Sequence, residues 1–228
     1  MTRFANALAE AEVPVIGEIK LRSSDGVPLL GDRSIEEVLD TYRDHGIGCV
    51  SVVTGRWFGG TADMLRQVTE HTGLPVLQKD FLTRRAQLMA ARDQGAAAVL
   101  LTASVLSADV LNRLAESALA LGLTPFVEVV DERELAALRC PEECVVAVNN
   151  KDIKNRERDK GDLRRSTGLL AAVRAAGARC AVSASGITSP AAGAELIAAG
   201  YDGLLVGTGL LTAASPGAWL TEFRRCSR

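Results

Sequence analysis

The sequence PVLQKDF, residues 75–81, contains a short apolar run that ends abruptly in charge. Val76 and Leu77 favour a strand that is buried on both faces, as in a parallel sheet. Lys79 and Asp80 stand at its end, and α/β barrels build their active sites at the carboxyl ends of such strands. Burial there would lower the pKa of Lys79 and make its ammonium group a usable proton donor. For this strand alone, the alternative is a lysine that forms a salt bridge or extends to solvent.

The same pattern recurs along the chain, where short apolar runs alternate with longer helical ones. The predicted strands are residues 15–20, 49–53, 76–79, 98–102, 124–128, 145–148, 180–183 and 203–206. The predicted helices are residues 35–45, 62–71, 84–94, 108–121, 132–138, 163–176, 191–199 and 216–225. Eight such units in 228 residues, with no linker between them, predict one α/β domain over residues 1–228. Its expected form is a single (β/α)8 TIM barrel, and an open doubly wound sheet is the alternative.

Composition excludes several classes of protein. The net charge of −2 gives no field that would draw the chain to nucleic acid or to anionic lipid. No apolar run approaches the ~18 residues of a membrane span, and no signal peptide is evident. The five cysteines include no CxxC pair, and no histidine lies near Cys140 and Cys144 to complete a zinc site. We therefore expect a reduced, cytoplasmic protein without a metal, a membrane or a nucleic-acid partner.

Charged and amide side chains stand at the ends of four of the eight predicted strands. They are Glu18 and Lys20 after strand one, Lys79 after strand three, Glu128 after strand five, and Asn149, Asn150 and Lys151 after strand six. Because the carboxyl ends of parallel strands meet at one rim of a barrel, these side chains should converge on one mouth. A single such residue is usually structural, but a convergent set predicts an active site.

The loops after the last two strands are rich in glycine. Ser185-Gly186-Ile187-Thr188 follows strand seven, and Gly207-Thr208-Gly209 follows strand eight. In barrels this pair of loops commonly binds phosphate through backbone N–H groups. A tight strand-to-helix turn is the alternative for the second loop alone, and the spacing is not that of a dinucleotide fingerprint. The pair predicts a site for a small sugar-phosphate substrate.

The motifs together resemble the indole-3-glycerol phosphate synthase family. They are RFANAL, VIGEIK, SVVTGRWFGG, PVLQKDF, AAAVLLTASVL, LGLTPFVEVVDERELAAL, VAVNNKDI, VSASGI and LLVGTGLL, in the order of that family. The resemblance implies a TIM barrel that acts as a carboxy-lyase in tryptophan biosynthesis. Such an enzyme closes the indole ring of 1-(2-carboxyphenylamino)-1-deoxyribulose 5-phosphate with loss of CO₂ and water, without a metal or cofactor.

The resemblance also implies roles for individual residues. Lys79 would be the general acid, Glu128 the acid/base carboxylate of the dehydration, and Lys20 the partner of the substrate carboxylate. Glu18 would pair with Lys20, and Asn149 would orient the substrate. The residues expected to bind the substrate and its phosphate are Ser23, Lys151, Ser185, Gly186, Gly207 and Thr208.

Three features depart from the family pattern. Ala184 stands where the strand-seven motif normally has a glutamate, and Ser23-Ser24-Asp25 stands in place of Ser-Pro-Ser. The N-terminal helix that caps the barrel mouth is expected to be mostly absent, which leaves room for a partner or dimer there. These departures keep two alternatives open: a divergent enzyme of specialised metabolism with an altered phosphorylated substrate, and a non-catalytic sugar-phosphate-binding barrel.

A phosphoribosyl isomerase is also compatible with the barrel periodicity, but the KDF and VNN motifs speak against it. The polar loop at residues 151–165 is either a solvated surface loop or a mobile lid over the substrate.

Overall fold

A computed structural model describes residues 2–151 and 161–227 of the chain. Its strands are β1 (Val13–Ile19), β2 (Ile47–Val53), β3 (Val76–Lys79), β4 (Ala98–Thr102), β5 (Thr124–Val129), β6 (Val145–Asn149), β7 (Cys180–Ala184) and β8 (Gly203–Val206). Each strand pairs in parallel with the next, and β8 pairs with β1, so the sheet closes into a barrel. The expected (β/α)8 TIM barrel is confirmed, and the open sheet is wrong.

Helices surround this barrel. They are α1 (Arg3–Glu10), α2 (Ile35–Asp44), α3 (Ala62–His71), α4 (Arg85–Asp93), α5 (Ala108–Ala120), α6 (Glu132–Ala136), α7 (Arg164–Ala175), α8 (Pro190–Ala198), α9 (Thr208–Leu211) and α10 (Pro216–Cys226). Single 3₁₀ turns occur at Arg56–Phe58 and Pro141–Glu143. None of the helices within residues 2–151 and 161–227 has the length and apolar character that a membrane crossing needs.

Local sequence signals explain where several helices begin. Ser34 accepts a hydrogen bond from the backbone N–H of Glu37, and the Glu37 carboxylate accepts one from the Ser34 N–H, which forms a capping box. Ser189 and Ser215 cap α8 and α10, and a proline follows each of them at the first helical position. These caps satisfy N–H groups that the first turn of a helix leaves without partners.

Buried apolar residues form two layers separated by the sheet. The outer layer fills the space between strands and helices, and includes Val52, Leu101 and Val146. The inner layer fills the barrel itself, and includes Leu77 and Phe126. Because side chains alternate between the two faces of a strand, each strand contributes to both layers.

Helix α1 closes the end of the barrel opposite the carboxyl ends of the strands. Phe4 and Leu8 are fully buried, and the Phe4 ring meets the Phe126 ring edge-on with 6.3 Å between centroids. A Cβ on Gly203 would lie 2.7 Å from Leu8, so the glycine makes room for the helix. RFANAL is therefore helical and covers the bottom of the barrel. The sequence alone predicts no helix over these residues, and predicts only that the helix that caps the mouth is mostly absent.

Most predicted boundaries lie within one or two residues of the observed ones. The prediction for β3, residues 76–79, coincides with the observed strand, whereas β1 begins two residues earlier than predicted and ends at Ile19. The short α9 and the two 3₁₀ turns were not predicted, because they are too short to show a helical period.

Candidate active site

Four strands place a charged or amide side chain in the barrel interior at the mouth. These side chains are Glu18 of β1, Lys79 of β3, Glu128 of β5 and Asn149 of β6. Each follows, by two positions, a residue of the inner layer such as Leu77 or Phe126, so strand alternation directs it inward. Each is at most 8% exposed, as is Lys20 just beyond the end of β1. The apolar side chains packed inside the barrel thus fix the positions of the polar side chains at its mouth.

Lys20, Glu18, Lys79 and Glu128 form a line of alternating charges, here called the ion cluster. Lys20 Nζ lies 2.9 Å from Glu18 Oε1, and Lys79 Nζ lies 3.7 Å from Glu18 Oε2. Lys79 Nζ is also 4.0 Å from Glu128 Oε1. Two ammonium groups and two carboxylates balance, which makes burial of all four charges tolerable.

Glu18 is held in its ionised form. Burial alone would raise the pKa of its carboxyl group, but the ammonium groups of Lys20 and Lys79 outweigh burial and leave the pKa below its ordinary value. The Tyr42 hydroxyl donates a hydrogen bond of 3.1 Å to the Glu18 carbonyl. A Cβ on Gly17 would lie 2.6 Å from the Tyr42 ring, so glycine is needed for this contact. A fixed negative charge therefore stands beside the Lys79 ammonium group.

Asn149 connects Glu128 to the loop after β6. Its Nδ2 donates to Glu128 Oε2 over 3.4 Å, and its Oδ1 accepts a hydrogen bond of 3.0 Å from the Lys151 N–H. Because Asn149 is fully buried, both bonds are shielded from competing water. The orientation of the Glu128 carboxylate is thereby tied to the backbone of the next loop.

An apolar cavity of about 380 Å³ opens on one side of the ion cluster. Its walls include the aromatic rings of Trp57, Phe58 and Phe81. The charged residues of its lining are Arg56, Lys79, Asp80 and Glu128. Trp57 and Phe81 are 53% and 52% exposed, which is unusual for large apolar side chains without a binding role. The shape and lining suit a flat aromatic group whose reactive edge faces Lys79.

A polar cavity of about 470 Å³ opens on the other side of the cluster. Its described lining includes three lysines, Lys20, Lys79 and Lys151, and one carboxylate, that of Glu18. The loops at residues 185–188 and 207–209 supply much of the remaining wall, together with Gly161. A Cβ on Gly207 would collide with the Glu18 carboxylate, so only glycine lets this loop come so close. Excess positive charge and accessible backbone suit an anion.

Lys79 lines both cavities. A ligand with an aromatic ring at one end and an anionic group at the other can therefore lie across the Lys79 ammonium group. Its central atoms would face the two carboxylates of the cluster.

A family model described as "Indole-3-glycerol phosphate synthase" matches residues 1–223. The chain belongs to the indole-3-glycerol phosphate synthase family. The family and the enzyme class expected from the sequence are thereby confirmed, and the two alternatives, a divergent enzyme of specialised metabolism and a non-catalytic barrel, are not favoured.

Curated relatives support this assignment. "Indole-3-glycerol phosphate synthase" of Rhodopirellula baltica is 35% identical over 210 residues, which cover 91% of this chain and 79% of that protein. "Indole-3-glycerol phosphate synthase 2" of Streptomyces coelicolor is 36% identical over 215 residues, with 94% and 81% covered. "Indole-3-glycerol phosphate synthase" of Aquifex aeolicus is 31% identical over 220 residues, with 96% and 84% covered.

A solved structure supports the fold alone. The 3-hexulose-6-phosphate synthase of Salmonella typhimurium matches with a TM-score of 0.72 at 16% identity, and the match covers 93% of this chain and 97% of that one. At such low identity the match carries no argument about chemistry.

The structure places the residues predicted for this synthase-family site in two groups. Glu18, Lys20, Lys79, Glu128 and Asn149 lie together at the mouth. Five of the predicted binding residues line the polar cavity: Lys151, Ser185, Gly186, Gly207 and Thr208.

Ser23 lies apart from both groups. It is outside the lining of the two cavities, and its Oγ accepts a hydrogen bond of 3.1 Å from the Val27 N–H. Its hydroxyl therefore stabilises the turn after β1, and its contact with phosphate stays a prediction.

Sequence reasoning missed the aromatic wall of the apolar cavity. Trp57 and Phe58 belong to the 3₁₀ turn after β2, and Phe81 follows β3. Both aromatic stretches belong to motifs that resemble the family, SVVTGRWFGG and PVLQKDF. Neither has a hydrophobic periodicity that would predict that their rings share one wall. Their position next to a strand end was the available signal.

Two further predictions concern metals and the polar loop. Across residues 2–151 and 161–227, no group of three or more His, Cys, Asp or Glu side chains could hold a metal ion. The choice between a lid and a solvated loop concerns residues 152–160, which lie outside the described residues. Lys151 and Gly161, at the two ends, both line the polar cavity.

Proposed function

We propose that this protein is an indole-3-glycerol phosphate synthase-type carboxy-lyase that converts 1-(2-carboxyphenylamino)-1-deoxyribulose 5-phosphate to indole-3-glycerol phosphate, CO₂ and water. The observation that carries the proposal is the position of Lys79. It lies between an aromatic-lined cavity and a glycine-rich, lysine-lined cavity, and it faces two carboxylates. The aromatic ring of the substrate suits the first cavity, and its phosphate suits the second.

The first step of this reaction forms the new ring. The aromatic carbon that bears the carboxylate attacks the ketone carbon of the ribulose chain, and the electron pair of the C=O bond moves to oxygen. Lys79 donates a proton to that oxygen, so a hydroxyl group forms rather than an alkoxide. The Glu18 carboxylate, 3.7 Å from Lys79 Nζ, favours the ammonium form that this step needs.

Loss of CO₂ and water then restores aromaticity. The bond between the ring and the carboxylate breaks, and its electron pair returns to the ring system. A general acid protonates the hydroxyl group, which leaves as water, and Glu128 removes a proton from the neighbouring CH₂ carbon. Because the carboxylate leaves as neutral CO₂, each turnover takes up one proton from solvent.

The remaining residues hold the substrate during these steps. Lys20 is placed to pair with the substrate carboxylate before decarboxylation, and its Nζ lies 5.5 Å from the centroid of the Phe58 ring. Asn149 keeps the Glu128 carboxylate oriented. Lys151 and the backbone of Ser185, Gly186 and the 207–209 loop would bind the phosphate.

The direct test is to incubate the purified protein with the carboxyphenylamino-deoxyribulose phosphate and follow indole fluorescence. We expect turnover without added metal or cofactor, and a chelator should leave the rate unchanged. Absence of product from the folded protein would overturn the proposal. We also propose that the protein works in the cytoplasm on this small substrate, and the comparisons give no support for a dimer over the mouth.

Ala184 is the departure from the family motif that we expect to matter most for the substrate. It is fully buried in the inner layer, where it is paired with Asn149 on one side and Leu205 on the other. It lines neither cavity. The missing carboxylate has therefore left close packing at this position rather than open space.

We predict that Ala184→Glu lowers kcat/KM on the standard substrate by ~10- to 100-fold, the scale of one misplaced charged hydrogen bond. The larger side chain must displace packed neighbours, and it adds a carboxylate to a cluster that is now balanced. Steady-state kinetics of wild type, Ala184→Glu and the neutral Ala184→Gln separate the effect of the added side-chain volume from that of the added charge. An increase in kcat/KM with glutamate would instead show that the chain has only lost a useful group.

A further inference from the structure

Asn150 lies directly behind the polar cavity, and both the nitrogen and the oxygen of its side-chain amide make hydrogen bonds. It is fully buried. Its Nδ2 group donates toward the Ser183 hydroxyl at 3.1 Å and toward the carbonyl oxygens of Ala184 and Ser185 at 3.0 and 3.1 Å. Its Oδ1 accepts hydrogen bonds from Ser166, at 3.2 Å from the N–H and 2.8 Å from the hydroxyl. One amide thus joins the end of β7 to the first turn of α7.

The backbone of Asn150 extends the same connection. Its N–H donates to the Ala184 carbonyl over 2.9 Å, and its own carbonyl accepts a 2.9 Å hydrogen bond from the Asp162 N–H. Asp162 directly follows Gly161, which lines the polar cavity. Both walls of the cavity at this point, residues 185–186 and residue 161, are therefore tied to Asn150.

Ser185 has a backbone conformation that needs such support. Its φ is 65°, and it is the one non-glycine residue with a positive φ in the described part of the chain. A side chain in this region is strained, and it persists where the surroundings over-determine it. The hydrogen bond from Asn150 to the Ser185 carbonyl is one such determinant.

The two walls also approach each other closely. A Cβ on Gly161 would lie 2.9 Å from the Gly186 Cα, so the spacing between these loops leaves no room for a side chain. Small changes in the position of either loop would change the width of the anion site. Asn150 makes hydrogen bonds to both loops: its side chain donates to the Ser185 carbonyl, and its backbone carbonyl accepts from the Asp162 N–H.

We infer that Asn150 is a positioning residue that holds the 185–186 loop in its anion-binding conformation. It does not line either cavity and makes no described contact with the ion cluster, so it would act on binding through the loop. This inference rests on the proposed function, because it assumes that the polar cavity binds the substrate phosphate.

Asn112 on α5 provides a matched control. It is 1% exposed, its Nδ2 donates to the Ala108 and Ala137 carbonyls, and its Oδ1 accepts from the Arg139 N–H. It is therefore a buried asparagine with similar bonds that contacts neither cavity. Asn150→Ala and Asn112→Ala should both destabilise the fold, but only the first should change anion binding.

The experiment measures binding of inorganic phosphate by calorimetry, and amide hydrogen exchange over residues 183–188. For Asn150→Ala we expect a Kd at least ~10-fold above wild type, the scale of a lost hydrogen bond, and faster exchange in the 183–188 segment. KM for the substrate should rise likewise while kcat stays within ~3-fold, because the ion cluster is untouched. Asn112→Ala should match wild type in the Kd for phosphate, in the exchange of the 183–188 segment, and in KM and kcat. Asn150→Ser, a neutral variant that keeps a short polar group but loses the amide donor to Ser185, serves if the alanine variant does not fold.

The outcomes separate the two claims. Wild type that binds no phosphate would contradict the anion site of the proposed function, and the exchange data would still judge the role of Asn150. Unchanged exchange in the Asn150 variants would overturn the inference. So would an unchanged Kd where wild type binds phosphate, or a change that Asn112→Ala reproduces.

Discussion

Replacement of Lys79 by Met should lower kcat by at least ~100-fold, because the reaction loses its positioned proton donor. The methionine fills a similar volume but leaves the Glu128 carboxylate without the ammonium group 4.0 Å away. Some loss of stability is expected from that unbalanced buried charge. Stopped-flow or steady-state measurement of indole fluorescence gives kcat, and circular dichroism with thermal unfolding shows whether the barrel persists.

Lys79→Arg is the matched control for this variant. The guanidinium group keeps the positive charge between Glu18 and Glu128, but it does not release a proton at neutral pH. We therefore expect the arginine variant to be more stable than Lys79→Met and almost as slow. Turnover near the wild-type rate in Lys79→Arg would show that Lys79 acts through its charge and not as the proton donor.

The second large effect is expected at Glu128. Glu128→Gln keeps the shape of the side chain and an oxygen for the Asn149 amide, but it removes the base that the dehydration needs. The expected loss in kcat is comparable, again ~100-fold or more. Because Lys79 and Glu128 act on one substrate as a unit, the Lys79→Met/Glu128→Gln double variant should lose less than the two single losses combined.

Glu134→Gln is the matched control in the same part of the barrel. Glu134 lies on α6, directly after β5, and its Oε2 accepts a hydrogen bond from the Val130 N–H. It lines neither cavity, so kcat should stay within ~2-fold of wild type, as for substitutions away from the site. Additive losses in the double variant, or an equal loss in Glu134→Gln, would contradict the assignment of Glu128.

The barrel and the ion cluster could be predicted because both follow from strand periodicity. Apolar runs of four to six residues locate the strands, and the charged residues that end some of these runs locate the mouth. Lys79 and Glu128 were found in this way. Their distances were not predictable, because the tilt and stagger of the strands decide which side chains meet across a barrel.

Other features depend on contacts that leave no local pattern. Asn149 and Asn150 are neighbours in sequence with the same side chain, yet one supports the ion cluster and the other holds the loop after β7. Strand alternation separates the faces they occupy, but the partners of Asn150 come from β7 and α7. Ser23 shows how little a motif says about local contacts, since its hydroxyl accepts a hydrogen bond within the turn after β1 and its contact with phosphate stays a prediction.

The helix at the start of the chain has a consequence for synthesis on the ribosome. Phe4 packs on Phe126 of β5, and Leu8 packs over Gly203 of β8, so these two partners are translated much later than the helix. Its contacts with β1 and β2, by contrast, join segments that are close in sequence. Domains generally fold as their chain emerges, and contacts between distant residues form slowly. Docking of α1 can therefore begin on β1 and β2, but its packing is completed only after the eighth strand has been translated.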